Sequence, residues 1–451
     1  MEKESQGPDE QQSAKALAYL KGEMSEPERD IFEQMLTESE ALREEVVRSR
    51  QILDSIDATR DDAVVRIVND QITQAITRGA SDIHLVPQRR SVMVSCRIDG
   101  YLQEVSTLAK EHQQAVIDRW KLMADMNLAE RSLPQDGRIP LKHNKADYDL
   151  RVSILPTLYG ERLTARILSE GGVLLGFDHL RLSPAPLAAL KRLSRLGAGL
   201  ILTTGQTGVG KTTLLYSLLQ EIRTSGRGGQ NILTIEDPVE FGFDLGISQT
   251  GVNRRMGLTY AAALRGMLRS DPDVILCAEM RDLETAELTA EIALTGHLIL
   301  SALHTTSALG AIQRLRDIGI ENFLIADIVA GLIGQRLVRR IDTGETEEYE
   351  PDTEELERAG LTKADGPFLR GVPSDSNGGT GFKGRIPLVE VVEVTPVLRR
   401  LIAERASDEA LWRAAFAKNA GSLRDDARSR VRAGLTTVEE VNWALFDYPD
   451  W

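Results

Sequence analysis

Residues 201–219 read ILTTGQTGVGKTTLLYSLL, and the fold of the chain turns on how they are taken. Leu200 to Thr204 form a short apolar or β-branched run that ends in a Gly-rich turn. Gly205, Gly210, Lys211 and Thr212 then match the spacing G-x-x-x-x-G-K-[ST], and Leu214, Leu215, Leu218 and Leu219 recur at helical intervals. Strand, loop and helix in that order make a phosphate cradle. The glycines let backbone N–H groups turn toward phosphate oxygens, and the helix N-terminus favours negative charge. Gly205, Gln206, Thr207, Gly208, Val209, Gly210, Lys211, Thr212 and Thr213 are therefore candidate contacts for ATP or GTP. Lys211 is expected to reach the β- and γ-phosphates, and Thr212 to hold Mg2+ through its hydroxyl.

Around this loop, 451 residues accommodate two or three domains with sizeable cores. At 42% hydrophobic and 27% charged, the chain reads as soluble. Its formal charge of -14 argues against general affinity for nucleic acid. The cysteines are Cys96 and Cys277, each in an apolar, strand-like run. They supply neither a disulfide framework nor a Cys-based metal cluster, so a reducing cytoplasm is expected. No apolar run is long enough to span a bilayer, and the start MEKESQGPDEQQ is unlike a targeting sequence. Any membrane association is expected to come through a partner.

Residues 1–13 are expected to be a disordered tail, and residues 14–50 a small helical module in which Ser25 and Pro27 mark a helix start. A face of Val65, Val68, Ile72 and Ile76 predicts a further helix, and alternating runs follow it; residues 61–170 thus read as an α+β domain. Residues 171–185 form a connection. From 186 to 400, apolar strands alternate with helical patterns, as in a P-loop α/β domain, and 401–451 are mostly helical.

A P-loop works with a carboxylate beyond a buried strand. In DPDVILCAEMRD the apolar run Val274 to Ala278 is closed by Glu279, placed to orient an attacking water. NILTIEDPVEF ends a second run in Glu236 and Asp237. A third run, HLILSALHTTSA, is bracketed by His297 and His304, either of which suits a phosphate hydrogen bond at a strand end. No third ligand stands at metal-binding spacing beside them.

These segments, with GASDIHLVP, RIDG, LAERSLPQDGRI, DLRVSILPTLYGERLTARIL, GLIGQRLVRRI and TGFKGRIPLVEVV, occur in the order of a known family. Residues 62–400 resemble the hexameric ATPases of type II secretion, type IV pilus extension and DNA uptake. TIEDPVEF resembles the family's Asp box, the segment around Glu279 its Walker B region, and TGHLILSALHTT its His box, with His297 and His304 at the two histidines. The resemblance implies an α/β fold: a RecA-like P-loop ATPase domain preceded by an α+β, PAS-like core domain. It implies a homo-hexamer using ATP and Mg2+, with Glu279, Glu236, His304 and His297 at the catalytic site. It also brings Arg151 and Arg166 of the core domain to the nucleotide, with Arg138 a further candidate. Guanidinium groups arriving on domain closure would neutralise charge developing on the γ-phosphate.

The chain departs from the family in three places. Two Cys pairs that commonly bind zinc are missing from residues 342–378, where Ser374 and Asn377 stand at the second pair. Ala278 and Met280 replace a glycine and an isoleucine beside Glu279. No counterpart is expected of the long N-terminal domain that docks secretion members to an inner-membrane platform protein. In its place residues 14–50 resemble the helical start of anti-sigma factors without their zinc ligands, a candidate contact for a further partner. The leading reading is a motor of secretion or pilus assembly, cytoplasmic and held at the inner membrane through protein partners. A retraction motor, a DNA-translocating ATPase and a nucleotide-bound regulatory scaffold are the alternatives. With all four cysteine positions replaced, elemental analysis of the purified protein is expected to find no stoichiometric zinc; one zinc per chain would mean that other ligands had rebuilt the site.

Overall fold

Two units make up the chain, Met1–Gly171 and Gly172–Trp451. The computed structural model describes residues 10–59, 61–169, 176–225, 229–242, 246–416 and 421–449.

The first unit opens with helices α1 (Glu10–Lys21), α2 (Glu26–Glu38) and α3 (Glu40–Thr59). Phe32, Ala16 and Leu42 are the buried centre of this module. Ser25 caps α2, and the Glu28 carboxylate accepts its backbone N–H at 3.0 Å. Residues 1–9 of the expected tail lie outside the described residues. Glu10 to Ser13 belong to α1, because Glu and Gln are good helix formers and extend it by a turn. Helix α3 likewise runs past the expected end at Arg50.

Helix α4 (Asp62–Thr77), strands β1 (Ala80–Pro87), β2 (Ser91–Ile98) and β3 (Tyr101–Ala109), helix α5 (Gln113–Met123) and strands β4 (Gln135–His143), β5 (Ala146–Thr157) and β6 (Gly160–Ser169) complete the unit. The strands form one antiparallel sheet in the order β3-β2-β1-β6-β5-β4. Val64, Val68 and Ile72 of α4 and Val116, Ile117 and Trp120 of α5 share a core with Ile83, Leu85, Leu150, Val152 and Ile154. Side chains alternate across a strand, so Asp82 and Arg151 fall on the opposite face of the sheet.

The second unit contains α6 (Pro184–Leu193), β7 (Gly199–Thr204), α7 (Lys211–Ser225), β8 (Ile232–Glu236), β9 (Ser248–Gly251), α8 (Tyr260–Met267), β10 (Val274–Cys277), α9 (Leu283–Leu294) and β11 (Leu298–Leu303). These are followed by α10 (Gly310–Ile318), α11 (Asn322–Ile328), β12 (Val329–Ile341), β13 (Thr346–Tyr349), α12 (Thr353–Ala359), β14 (Phe368–Gly371) and β15 (Phe382–Glu393). Helices α13 (Pro396–Ala403), α14 (Asp408–Ala415), α15 (Leu423–Arg432) and α16 (Val438–Ala444) end it. The large sheet runs β15-β12-β7-β11-β10-β8-β9, parallel except for β15 against β12. Strands β8, β10 and β11 are buried at every residue, as parallel strands covered on both faces should be. Leu214, Leu215, Leu218 and Leu219 of α7 pack with Ile201 on one face. Leu200, Leu202 and helices α8 to α11 build the core on the other.

Of the expected connection, residues 171–175 lie outside the described residues. The expected boundary at 400 falls inside α13, and α15 and α16 share a core with β12 and β15 through Val338, Ile386 and Leu388. Between Ser374 and Gly381, Asn377 gathers the loop. Its Oδ1 accepts the backbone N–H of Ser374 (2.8 Å) and Gly381 (3.1 Å), and its Nδ2 donates to the Val372 carbonyl (2.9 Å) and the Asp342 carboxylate (3.3 Å). Among the described residues, no helix is long and apolar enough to cross a membrane.

A cluster of charged groups is sealed inside the first unit. Lys121 of α5 is fully buried, 2.5 Å from Glu161, and also donates to the Glu130 carbonyl at 2.6 Å. Arg131 bridges Glu161 to buried Asp118. Removing one partner strands a buried charge, so Lys121→Met should cost about 3–5 kcal/mol in chemical denaturation. Converting Glu161 to Leu in the same chain should recover most of that loss.

Candidate functional site

The loop after β7 is shaped by close packing. A Cβ on Gly205 would stand 2.6 Å from the Gln335 carbonyl oxygen, and one on Gly210 would stand 3.1 Å from the Gln335 side-chain nitrogen. Gly205, Gly208 and Gly210 all take positive φ, at 146°, 82° and 88°. The loop then delivers Lys211 and Thr212 into the first turn of α7. Lys211 Nζ donates to the carbonyls of Gly205 (2.7 Å) and Gln206 (2.9 Å) and lies 3.3 Å from His304 Nδ1.

Parallel pairing brings the other groups to the same sheet edge. Thr204 pairs with Leu303 at the ends of β7 and β11, and Cys277 at the end of β10 pairs with Ser301. His304 and Glu279 therefore emerge beside the loop. His304 Nε2 is 3.2 Å from Glu279 Oε1, and an Arg281 Nη is 2.8 Å from Glu279 Oε2. Lys211, His304, Glu279 and Arg281 form one continuous chain. Burial alone would raise the Glu279 carboxyl, but the hydrogen bond and charge of Arg281, with His304 and Lys211, hold it below its ordinary value. Burial drives the Lys211 ammonium down to about 8; Glu279 opposes that shift and Arg336 adds to it. A cation held beside an ionised carboxylate at a glycine cradle suits phosphate binding and activation of water.

Other expected site residues lie elsewhere. Glu236 ends β8 at the same edge but is 1% exposed. It accepts hydrogen bonds from Tyr216, from Thr234 (2.6 Å) and from Gln249 (3.1 Å). His297 does not join the cluster. It precedes β11, and its Nδ1 lies 3.0 Å from the Thr295 hydroxyl and 3.1 Å from the Ile292 carbonyl. The length of β11, about 20 Å at ~3.3 Å per residue, separates it from His304.

In the first unit, strand register lines up a charged row. Arg97 of β2 pairs with Asp82 of β1, Asp82 with Arg166 of β6, Arg166 with Arg151 of β5, and Arg151 with Arg138 of β4. Residues directly opposite one another share a face. Asp82 accepts from Arg166 at 3.1 Å and lies 4.0 Å from Arg97; Asp149 accepts from Arg138 at 2.7 Å and lies 3.9 Å from Arg151. The two aspartates are buried while Arg138 and Arg166 stay exposed, so the row presents positive charge outward. Sequence reasoning missed Arg281, whose only signal was its place two residues after Glu279, and missed Gln335 and Arg336 in GQRLVRR.

The profile of the family described as "Type II/IV secretion system protein" matches residues 57–443. The chain is 39% identical over 419 residues to the "Type II secretion system ATPase E" of Vibrio cholerae, covering 92% of this chain and 81% of that protein. It is 40% identical over 384 residues to the "Type IV pilus assembly ATPase PilB" of Thermus thermophilus, covering 84% of this chain but 43% of that one. Among solved structures it is similar to the pilus retraction motor PilT with bound ADP, at 27% identity and a TM-score of 0.56, over 84% of this chain and 96% of that one.

The lowered Lys211 has a measurable consequence. Triphosphate favours the charged lysine, and above about pH 8 the resting lysine is neutral. Affinity for a fluorescent ATP analogue should therefore fall as pH rises through about 8, and Glu279→Gln should move the break to lower pH by removing the group that opposes the shift. In Lys211→Arg the profile should be flat. The stability sign is the opposite one: between about 8 and the ordinary 10.5 the unfolded chain binds more protons, so this lysine contributes stability as pH rises through that window.

Proposed function

The chain belongs to the family of type II/IV secretion system proteins and is an ATPase of that family, and from this premise we propose that it works as a hexameric motor for filament assembly. In this reading each turnover moves an inner-membrane platform protein that builds a secretion pseudopilus or a type IV pilus. The protein itself stays on the cytoplasmic side, held at the membrane by its partners. The observation that carries the reading is the chain Lys211–His304–Glu279–Arg281 beside a glycine-shaped loop. Lys211 takes the β- and γ-phosphates, and Glu279 accepts a proton from, and orients, the attacking water.

Mg2+ fits this donor set. Among the described residues no group of three His, Cys, Asp or Glu is placed to hold a metal. A Mg2+ ion that keeps several waters needs only phosphate oxygens, the Thr212 hydroxyl and a water-mediated contact to Glu279. Bound there, it would offset phosphate charge. Glu236 acts in this scheme by fixing β8 against α7 through Tyr216, behind the reacting groups. His304 relays the state of the γ-phosphate to Glu279, whereas His297 has no role at the loop of its own subunit. The arginine row supplies Arg151 and Arg166 to a phosphate when the domains close.

Extension or secretion is favoured over retraction by identity: 39% and 40% to proteins named for secretion and pilus assembly, against 27% to the retraction motor. Translocation of DNA fits poorly with a net charge of -14.

Lys211→Ala should lower ATP turnover at least about 100-fold, while Glu279→Gln should bind ATP and fail to hydrolyse it. Mass measurement with a non-hydrolysable analogue should report six subunits. Arg151→Ala should keep that ring and its nucleotide affinity but lose about 10- to 100-fold in kcat. A fully active monomer would overturn the ring, and an unchanged kcat would remove Arg151 from the site.

A further inference from the structure

Beyond the groups that face the phosphate, the geometry points to Asp447 as a positioning residue: with Arg336 it braces the phosphate loop against the segment carrying His304. The inference rests on the role given to His304 above.

The contacts close a ring. Asp447 Oδ2 accepts from the Gln206 side chain at 3.2 Å, and Oδ1 accepts from Arg336 at 3.1 Å. The same Arg336 nitrogen donates to the Thr306 carbonyl at 2.6 Å. Thr306 is two residues beyond His304, and His304 touches Lys211, which in turn donates to the Gln206 carbonyl. The inner side of the ring is Lys211–His304; the outer side is Gln206–Asp447–Arg336–Thr306. A ring joined on both sides holds the spacing of the loop and the histidine more firmly than the inner contact alone.

Three features separate this pair from an ordinary surface ion pair, which adds little. First, the Arg336 side chain is 5% exposed, so water competes weakly for its guanidinium, although Asp447 is 30% exposed. Secondly, the backbone at Asp447 is anchored by its neighbour: Tyr448 donates to Glu390 Oε2 at 2.5 Å, and Glu390 is 1% exposed. Thirdly, Glu390 Oε1 accepts the Ala308 N–H at 2.6 Å, so residues 447 and 448 reach the segment after His304 by two independent routes. Arg336 is itself fixed on β12, one residue past the Gln335 carbonyl against which Gly205 packs.

Arg336 is too buried to leave its partners for a phosphate, so the brace serves alignment more than binding. Asp447→Ala should therefore lower kcat about tenfold while KM for ATP changes by less than about twofold. Asp447→Glu, which keeps the charge and both acceptors, should recover much of the loss. Because the effect runs through His304, it should vanish when Asp447→Ala is placed on His304→Ala, a non-additive pair. A thermal midpoint within a few degrees of wild type excludes general unfolding, and Gln206→Ala breaks the loop side without touching the Asp447–Arg336 pair and should also act on kcat. Unchanged kcat in Asp447→Ala overturns the brace. A full additional loss on the His304→Ala background overturns its route. Wild-type kcat in His304→Ala itself refutes the role given to the histidine, and with it the brace as an aid to that residue.

Discussion

The passage of the loop 205–210 under strand β12 governs the second unit. The Gln335 carbonyl stands where a Cβ of residue 205 would go, so the chain must turn there without a side chain. That turn aims Lys211 back over its own loop, where two carbonyls and His304 receive it. The lysine is then both desolvated and provisionally satisfied. Incoming phosphate replaces weak neutral acceptors with strong charged ones, so the resting contacts are readily exchanged rather than being obstacles.

The glutamates of the same unit show how position decides chemistry. Glu390 is enclosed and surrounded by neutral donors, and burial raises its carboxyl in spite of them. Glu236 is equally enclosed and is consumed by Tyr216, Thr234 and Gln249. Glu279 alone of the three is hydrogen-bonded to a guanidinium, that of Arg281, with the His304 ring on its other side and Lys211 beyond. An ionised carboxylate that keeps some access to water is what a group orienting water requires. The first two glutamates hold elements together, and the third is available for reaction.

Local pattern revealed much of this and topology hid the rest. The strand–loop–helix at 200–219 and the apolar runs before Glu279 and His304 are short-range signals, and the parallel sheet realises them. Both histidines flank one strand, yet only His304 emerges beside the loop. A six-residue strand must send its flanking residues to opposite edges, so that difference was in fact legible from the spacing. The buried face of α4 is Val64, Val68 and Ile72, shifted from the expected Val65, since two neighbouring valines satisfy the same helical period. Asp447 lies 241 residues from Gln206 in sequence, and no local pattern connects them. The arginine row is similar: strand alternation alone does not connect its members, and register aligns Arg97 and Asp82 with Arg138, Arg151 and Arg166, which the family resemblance marks.

That row carries a restriction of its own. Side chains change face at each residue, so the five members coincide only while each strand keeps its register against its neighbours. Replacing one arginine alters one rung. A one-residue slip of β6 against β5 would send Arg166 to the helix-covered face and take the buried Leu163 and Ala165 out of the core. The row is therefore tolerant of changes in spelling and intolerant of changes in register, which the buried face of each strand holds fixed.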